Sequence, residues 1–491
     1  LGYNSPLIVI DGVVGFDDMQ RINPNDVESI TVLKDASAAI YGAQAANGVI
    51  LVTRKRGKIQ KPTLTYTGNL TFTQPTRLPK LMSSSQYAQA ENEYLQSAGQ
   101  PKKWTDLDIK AWQDNTDPIG HPNTNWMEEV YKKWTPQYMN TLSLTGGTDN
   151  VRYYLSGQLT KEDANFKRND GLAYKQRQFH AAIDFDVTKD LTMSVDLNTR
   201  VQDKQSSFFG SGNSQVQIFL QSPITPAYYP NGLEGPSQFG YNPVLLGTKV
   251  PGYTNTITGV NTIKGSFKWK LNKLLKGLYV DGFAASSKTS IDYKRFQKIW
   301  NVYSYDKSTD EYVPIRGGQE SLNPNLQQQE SKAGNTTYNI KLGYQQKFGK
   351  HSIDGFVAYE QNEGSGFNIA ATRRDYTTDQ IEQLFAGSSV GLTNNGSAYE
   401  NARQNYFGRF NYGYNNKYYL NVTMRYDGSQ NFPSSNRFGL FPSISAAWRI
   451  SQEDFMKKVV FINDLKIRGS WGKMGNDAIP PFQYLQPINT D

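Results

Sequence analysis

The sequence predicts part of an all-β transmembrane barrel of antiparallel strands that encloses a small α+β unit. From residue 63 onward, apolar and polar residues alternate in many short segments, which is the period of a strand with one apolar face. The connections between these segments are alternately long and short, as they are where consecutive barrel strands join at opposite rims. A soluble β-sandwich has no reason to keep that parity over so many hairpins.

About 13 strands can be recognised, where a large outer-membrane barrel with a filled lumen has about 22. The clearest is 63–73, whose apolar face carries Leu64, Tyr66, Gly68, Leu70 and Phe72. The others are predicted at 151–159, 179–187, 191–197, 263–271, 338–344, 353–359, 406–414, 418–426, 444–450, 465–471 and, less clearly, 141–147 and 278–289.

The longer connections are 74–138, 161–175, 202–259, 290–334 and 363–401, and the short turns lie at 149–150, 189–190, 272–276, 349–350 and 415–416. The first connection also contains a predicted helix. Ser84 can cap it, apolar residues recur on one stripe, and Gly99 can end it. We expect this helix to pack on the barrel rim or in the lumen.

The segment 35–53 predicts a different arrangement, a short helix followed by a turn and a strand. Asp35 can cap a helix over 36–41, and Gly42 can adopt the left-handed conformation that ends it. Asn47 and Gly48 form a turn dipeptide, and the apolar run 49–52 is typical of a buried strand.

This segment closely resembles the end of the plug domain of SusC/RagA-type TonB-dependent outer-membrane transporters. The blocks 6–13 and 22–30 match the same plug, and the blocks 82–88, 122–130, 437–450 and 464–476 resemble later parts of the family. The plug motif residues, which we interpret as structural, are Asp11, Gly12, Asn23, Pro24, Asp35, Tyr41, Gly42, Asn47 and Gly48. Three positions depart from the family pattern: Arg54, His121 and Asn125 stand where Thr, Tyr and Asp are expected.

The resemblance divides the chain into residues 1–58, the C-terminal part of a plug, and residues 59–491, the N-terminal part of a barrel. We therefore expect the chain to be a fragment, with a leader, a TonB box and the first part of the plug preceding it. The absence of cysteine suits an envelope protein. No apolar run approaches the roughly 20 residues of a membrane helix, which excludes a helical membrane protein.

The net charge of +8 raises the question of nucleic-acid binding. The densest basic cluster is Arg54, Lys55, Arg56, Lys58 and Lys61, directly after the last plug strand. No groove of interleaved aromatic and basic residues accompanies it, so we interpret it as a solvated linker and expect no nucleic-acid partner.

Residues for catalysis or for holding a cofactor are not evident. The three histidines, His121, His180 and His351, have no ligand spacing, and each is expected to be a satisfied polar residue. The segment 210–212 is rich in glycine but lacks the Lys-Ser/Thr of a phosphate loop. We expect no enzyme activity, no cofactor and no metal.

The resemblance implies active import across the outer membrane of a Gram-negative bacterium by a multi-pass β-barrel in contact with outer-membrane lipid. It implies a SusD-like surface lipoprotein as a partner, and energy supplied by TonB with ExbB and ExbD through the missing TonB box. The expected substrate is a small glycan-derived oligosaccharide, with a peptide as the nearest alternative. The competing functions are a siderophore or cobalamin receptor of another TonB-dependent family and a surface receptor or adhesin that does not transport.

Overall fold

The computed structural model describes residues 5–34, 36–209, 216–237, 240–318, 323–456, 459, 461–477, 479 and 484–485. This part of the chain forms a four-stranded sheet, a 13-stranded sheet and a separate two-stranded hairpin. Within these ranges no helix is both long enough and apolar enough to cross a membrane.

The small sheet lies near the start of the chain and has the order β2-β1-β4-β3. Its strands are β1 (Leu7–Ile10), β2 (Val13–Val14), β3 (Val27–Leu33) and β4 (Val49–Arg54). β1 and β4 pair in parallel, and β4 pairs with β3 in the antiparallel sense. Apolar side chains bury both faces, including Val9, Val49 and Val52. We call residues 5–58 the plug unit.

The large sheet, which we call the wall, begins with β5 (Gln60–Thr73). Its remaining strands, and the separate pair β12 and β13, are β6 (Thr135–Gly147), β7 (Val151–Asp163), β8 (Ala173–Asp186), β9 (Leu191–Ser207), β10 (Gly252–Lys270), β11 (Leu278–Gln297), β12 (Asn301–Asp306), β13 (Glu311–Arg316), β14 (Asn325–Phe348), β15 (His351–Arg373), β16 (Thr393–Tyr414), β17 (Tyr418–Ser429), β18 (Phe438–Arg449) and β19 (Lys466–Gly472). Neighbours in the wall are antiparallel throughout.

The wall curves around the plug unit. Tyr154 on β7 donates a hydrogen bond to Asp26, and Arg425 on β17 donates one to the carbonyl oxygen of Ile40. In a flat sheet these two strands would lie roughly 40 Å apart, because adjacent strands are about 4.8 Å apart. A unit as small as the plug unit touches both only if the sheet bends toward it.

The two faces of the wall differ in chemistry as the alternation predicted. Inward side chains on β7 to β10 are mainly polar and contact the plug unit, whereas large apolar side chains on the outer face remain exposed. Exposed outward residues include Leu64, Leu70, Leu159, Phe179, Ile263, Trp269, Ile340, Val357, Phe410, Met424, Ile444 and Trp471. Phe185, Phe267 and Val422, which also point outward, are partly covered by their neighbours.

The 13 wall strands and the alternating connections confirm the predicted architecture. Six strands are longer than expected: β9, β10, β11, β14, β15 and β16 extend by six or more residues into connections that the sequence predicted to be loops. The extensions of β14 and β16 are largely polar on both faces, so no alternation indicates a strand there. The hairpin of β12 and β13 was also missed, and the connection 450–465 is long although it lies on the rim of short turns.

Three helices lie in the first long connection: α1 (Ser84–Ser97), α2 (Asp106–Asp114) and α3 (Trp126–Val130). The predicted helix is α1, but its capping residue is Ser83, not Ser84. The Ser83 side chain accepts from the Gln86 amide while the Gln86 side chain accepts from the Ser83 amide. This reciprocal pair satisfies two free amides, which a single cap at Ser84 would not do.

If the outward face contacts lipid, charge on it will be costly. We expect Leu70→Arg to destabilise the folded complete protein by about 2–4 kcal/mol if the site is near mid-membrane, and by less near a rim. The matched change Thr65→Arg, on the opposite face of the same strand, should cost much less. Urea titration of folding into vesicles measures both, and equal costs on several strands would contradict the assignment of the faces.

Candidate functional site: the seat of the plug unit

The turn between β1 and β2 places Asp11 beside the last residue of β4. Asp11 and Gly12 both have positive φ, 49° and 81°, which reverses the chain. The Asp11 carboxylate accepts from the Arg54 amide at 2.9 Å and from Arg54 Nε at 2.5 Å. Burial opposes ionisation of Asp11, but these contacts with Arg54 outweigh it and lower its pKa. The pair joins the C-terminal ends of the neighbouring parallel strands β1 and β4.

Asn23 and Pro24 begin a 3-10 turn, Pro24–Asp26, that is pressed against the wall. The Asn23 side chain caps the turn by accepting from the Asn25 amide at 3.0 Å, and it also accepts from Gln158 Nε2 at 2.8 Å. Asp26 accepts from Tyr154 Oη at 2.9 Å. The motif residues therefore shape a turn whose side chains bind β7.

Charged side chains continue this contact along the wall. Arg200 on β9 pairs with Asp17 at 2.7 Å, and both side chains are almost fully buried. Lys264 on β10 donates to the carbonyl oxygen of Asp11 at 2.6 Å. We call these inward side chains of β7 to β10 the seat.

Arg56 joins the seat from the segment between the two sheets. Its guanidinium binds Asp184 on β8 at 2.6 Å and Asp196 on β9 at 2.7 Å. Burial works against the charged form, but the two carboxylates prevail and raise the Arg56 pKa. The predicted solvated linker is therefore wrong for Arg54, which pairs with Asp11 inside the plug unit, and for Arg56, which anchors the plug unit to carboxylates of the wall far away in the sequence.

A second contact, which we call the clasp, surrounds Gly42. The Ala43 amide donates to Asp427 Oδ2 at 2.8 Å, and Arg425 Nη1 donates to the Ile40 carbonyl oxygen at 2.8 Å. The segment that follows β19 adds backbone bonds from the amides of Gly475 and Asp477 to the carbonyl oxygens of Gly42 and Ala43. Both ends of the curved wall thus hold the same small unit.

The clasp explains why the helix differs from its prediction. The structure has a 3-10 helix, Ala36–Gln44, that is kinked at Gly42 instead of a helix ending at Tyr41. Gly42 has the expected positive φ of 57°, but its ψ of −121° is not the left-handed helical value. A Cβ atom here would lie 1.8 Å from Asp427 Oδ2, so the close approach of β17 requires glycine.

The remaining motif residues lie around this helix. Tyr41 packs against the apolar cluster of Val9 and Val49, where burial raises its pKa. Gly48 has a φ of 83°, and its carbonyl oxygen accepts from the Leu7 amide at 3.0 Å, so the turn leads into β4 beside β1. Asn47 is exposed. Asp35 lies outside the described residues, as does the glycine-rich segment 210–212.

The histidines have three different surroundings. His121 lies between Asp108 and Asp117, with a ring nitrogen 3.0 Å from each, and these carboxylates raise its pKa. His351 Nδ1 lies 2.7 Å from Tyr412 Oη. His180 is buried in the seat, and neither ring nitrogen has a hydrogen-bond partner, so the expectation of a satisfied polar residue is wrong there. Among the described residues no histidine or carboxylate cluster is arranged to hold a metal ion.

A cavity of about 400 Å³ lies between the plug unit and β11, β14, β15 and β16. The plug unit contributes Val14, Gly15 and Gln44. The wall side is mostly neutral and polar, and its lining includes Ser287, Thr289, Asn335, Thr337, Asn362, Asn401 and Asn405. Amides and hydroxyls both donate and accept hydrogen bonds, so this lining suits a neutral polar molecule.

Comparison with known proteins agrees with this geometry. A family model described as TonB-dependent Receptor Plug Domain matches residues 1–49. The TonB-dependent receptor SusC of Bacteroides thetaiotaomicron is 28% identical over 98% of this chain. The chain is thus similar to TonB-dependent receptors of the SusC/RagA type over nearly all of its length. The TonB-dependent receptor P26 of Formosa agariphila is 29% identical, also over 98% of the chain.

The solved structure of the RagAB peptide transporter has the same fold as this SusC/RagA-type chain. Its TM-score is 0.77 at 19% identity, and the match covers 100% of this chain and 56% of that one. The chain spans about half the length of the curated relatives it matches, 46% of P26 and 47% of SusC.

Gly42 provides a test of the clasp. We expect Gly42→Ala to destabilise the plug unit by roughly 1–3 kcal/mol, because alanine is strained at this φ and its Cβ meets Asp427. Gly12→Ala is the matched control: its φ is also positive, but no atom lies within 4 Å of the added Cβ. Hydrogen exchange of the plug amides measures both variants, and a larger loss at Gly12 would contradict the clasp.

The buried pair of Arg200 and Asp17 provides a test of the seat. Arg200→Ala leaves a buried carboxylate without its partner, so we expect a loss of about 3–5 kcal/mol in plug stability. Lys58→Ala removes the cation of an exposed pair with Glu28 and should cost less than about 1 kcal/mol. The urea concentration at which plug amides lose protection distinguishes the two, and equal midpoints would show that the seat does not stabilise the plug.

Proposed function

We propose that the complete protein imports a nutrient across the outer membrane by TonB-dependent active transport, with no enzymatic step. The observation that carries this proposal is the polar character of the seat and clasp. In the described part of the chain, the residues outside the plug unit that join its two buried apolar clusters are Phe283 and Ala285 on β11 and Met474 after β19. Polar contacts can be replaced by water when a unit moves, so this interface suits a unit that is displaced and reseated.

The same contacts make an energy source necessary. Breaking a buried ion pair costs several kcal/mol. The seat contains one such pair, Arg200 with Asp17, and a half-buried one, Arg56 with Asp196, and both oppose spontaneous opening. An external force on the plug supplies that energy in our proposal. It derives from the proton gradient of the inner membrane and acts through TonB with ExbB and ExbD.

We place the barrel in the outer membrane of a Gram-negative bacterium, with its long connections outside the cell. These connections share a buried apolar cluster that includes Trp126, Leu245 and Trp300. They therefore form an ordered platform at the rim, which supports the docking of a SusD-like surface lipoprotein. The relative named SusC and the fold shared with the RagAB transporter are consistent with this partner.

The substrate that we propose is a glycan-derived oligosaccharide. Amides and hydroxyls make up most of the lining of the cavity between plug unit and wall, which supports a polyhydroxylated ligand; Glu360 and Arg403 are the charged members of that lining. A peptide is the second candidate, because the RagAB transporter, which shares the fold, is a peptide transporter. Peptide backbones also bond to amides, so the two candidates differ chiefly in charge.

Uptake by cells producing the complete protein tests both parts of the proposal. We expect accumulation of a labelled neutral oligosaccharide that stops when TonB is deleted or the proton gradient is collapsed. Accumulation that persists without TonB would contradict active transport. Accumulation of peptides instead of oligosaccharides would leave active transport intact and overturn the substrate.

A pair of neighbouring residues tests the cavity. Asn362 lines it and donates to Thr337 Oγ1 at 2.8 Å, whereas Gln361 points to the outer face of the same strand. We expect Asn362→Ala to weaken oligosaccharide binding up to about tenfold, the value of one or two hydrogen bonds, and Gln361→Ala to leave it unchanged. Equal effects would place the ligand elsewhere.

A further inference from the structure

His180 and Asp26 form an unusual contact in the seat. Both side chains are 1% exposed, and His180 Nδ1 lies 3.8 Å from Asp26 Oδ2. The other Asp26 oxygen accepts from Tyr154 Oη, and the rings of Tyr154 and His180 are 5.8 Å apart. Asp26 Oδ2 and both imidazole nitrogens lack a hydrogen-bond partner. Buried polar atoms are normally paired, so this arrangement needs an explanation.

The charges around this pair do not balance when both groups are deprotonated. Each packed element contributes ionisable side chains to the layer between plug unit and wall. They are Asp11, Asp17, Asp26 and Arg54 from the plug unit, Arg56 from the segment that follows β4, Tyr154 from β7, Asp184 from β8, Asp196 and Arg200 from β9, and Lys264 from β10. Five of these are carboxylates and four are basic side chains, three arginines and one lysine.

The four cations are already in use elsewhere. Arg54 pairs with Asp11, Arg200 with Asp17, and Arg56 with both Asp184 and Asp196. Lys264 donates to a backbone oxygen of the turn at Asp11. Asp26 forms no ion pair with an arginine or lysine, although the charge of Arg54 acts on it, and its closest ionisable neighbours are Tyr154 at 2.9 Å and His180 at 3.8 Å. Burying an uncompensated charge is costly, and one proton on the pair removes the surplus.

We propose that Asp26 and His180 together hold one proton, and that this shared proton helps to keep the plug unit in its seat. Protonated Asp26 facing a neutral imidazole neutralises the layer. Burial and the charges of Arg54 and Arg56 disfavour the alternative, an ion pair of protonated His180 with ionised Asp26. Burial raises the pKa of Asp26 against the hydrogen bonds from Ser156 and Tyr154, which agrees with retention of a proton. The inference concerns the seat itself and does not depend on what is transported.

The proton makes seating depend on pH in a defined direction. In a displaced, hydrated plug the pair loses this proton near the ordinary histidine pKa of about 6.5. In the seat the surplus negative charge retains it to higher pH. Seating is therefore strongest below pH ~6.5 and weakens as the pH rises toward the seated pKa of the pair, by at most tenfold per pH unit.

Hydrogen exchange of the amides of residues 23–28, corrected for intrinsic rates, measures seating in the complete transporter in detergent. In the wild type we expect protection to be level from pH 5 to 6.5 and then to fall by up to tenfold per unit. In Asp26→Asn the fall should disappear, because the surplus charge is gone. In His180→Gln the fall should begin near the ordinary aspartate pKa of about 4, because Asp26 titrates alone.

Glu28→Gln is the control, since Glu28 belongs to an exposed pair with Lys58 outside the buried layer. It should leave the wild-type profile unchanged. Level protection in the wild type from pH 6.5 to 8.5, or the same fall in Asp26→Asn, would overturn the proposal. A wild-type profile in His180→Gln would assign the proton to Asp26 alone and would equally overturn the shared site.

Discussion

The organisation of this protein depends on one requirement, that charges buried between the plug unit and the wall must be compensated. The plug unit has its own apolar core, but few apolar wall residues reach it, so its position is set by polar contacts. Arg56 shows the requirement most clearly, because it joins Asp184 on β8 to Asp196 on β9 from the segment between the two sheets. These contacts also fix the direction in which β5 leaves the plug unit and hence the start of the wall.

Seat and clasp differ in kind, and the difference bears on how the plug unit can move. The seat consists largely of side-chain ion pairs, which water and counter-ions can replace one at a time. The clasp includes main-chain bonds around Gly42, where the close approach of Asp427 leaves no room for a side chain. Side chains in the seat can change rotamer without moving the backbone, whereas the clasp opens only when one of its segments shifts as a whole.

The sequence predicted strands wherever one face is apolar, as in 63–73, and it predicted the turn chemistry of Asn47 and Gly48. It could not predict the outer part of β16, because both faces there are polar and exposed and only pairing with β15 indicates a strand. The anchoring roles of Arg54 and Arg56 were missed for a related reason. A run of basic residues looks solvated until its partners are known, and Asp184 and Asp196 lie 128 and 140 positions away from Arg56. The lack of hydrogen-bond partners for the His180 ring could not be predicted for the same reason, because its neighbour Asp26 is remote in sequence.

The lengths of β14, β15 and β16 have a consequence for the shape of the protein above the membrane. The longest of them has 24 residues, which spans about 60 Å along the barrel axis at the usual rise and tilt. The apolar band of an outer-membrane barrel is about 25 Å tall, so much of this length stands outside it. Shorter strands such as β6 and β7 provide no comparable extension. The rim of the described wall is therefore built in two ways: by the strands themselves as a tall screen at β14 to β16, and by packed helices and loops beside β6 and β7.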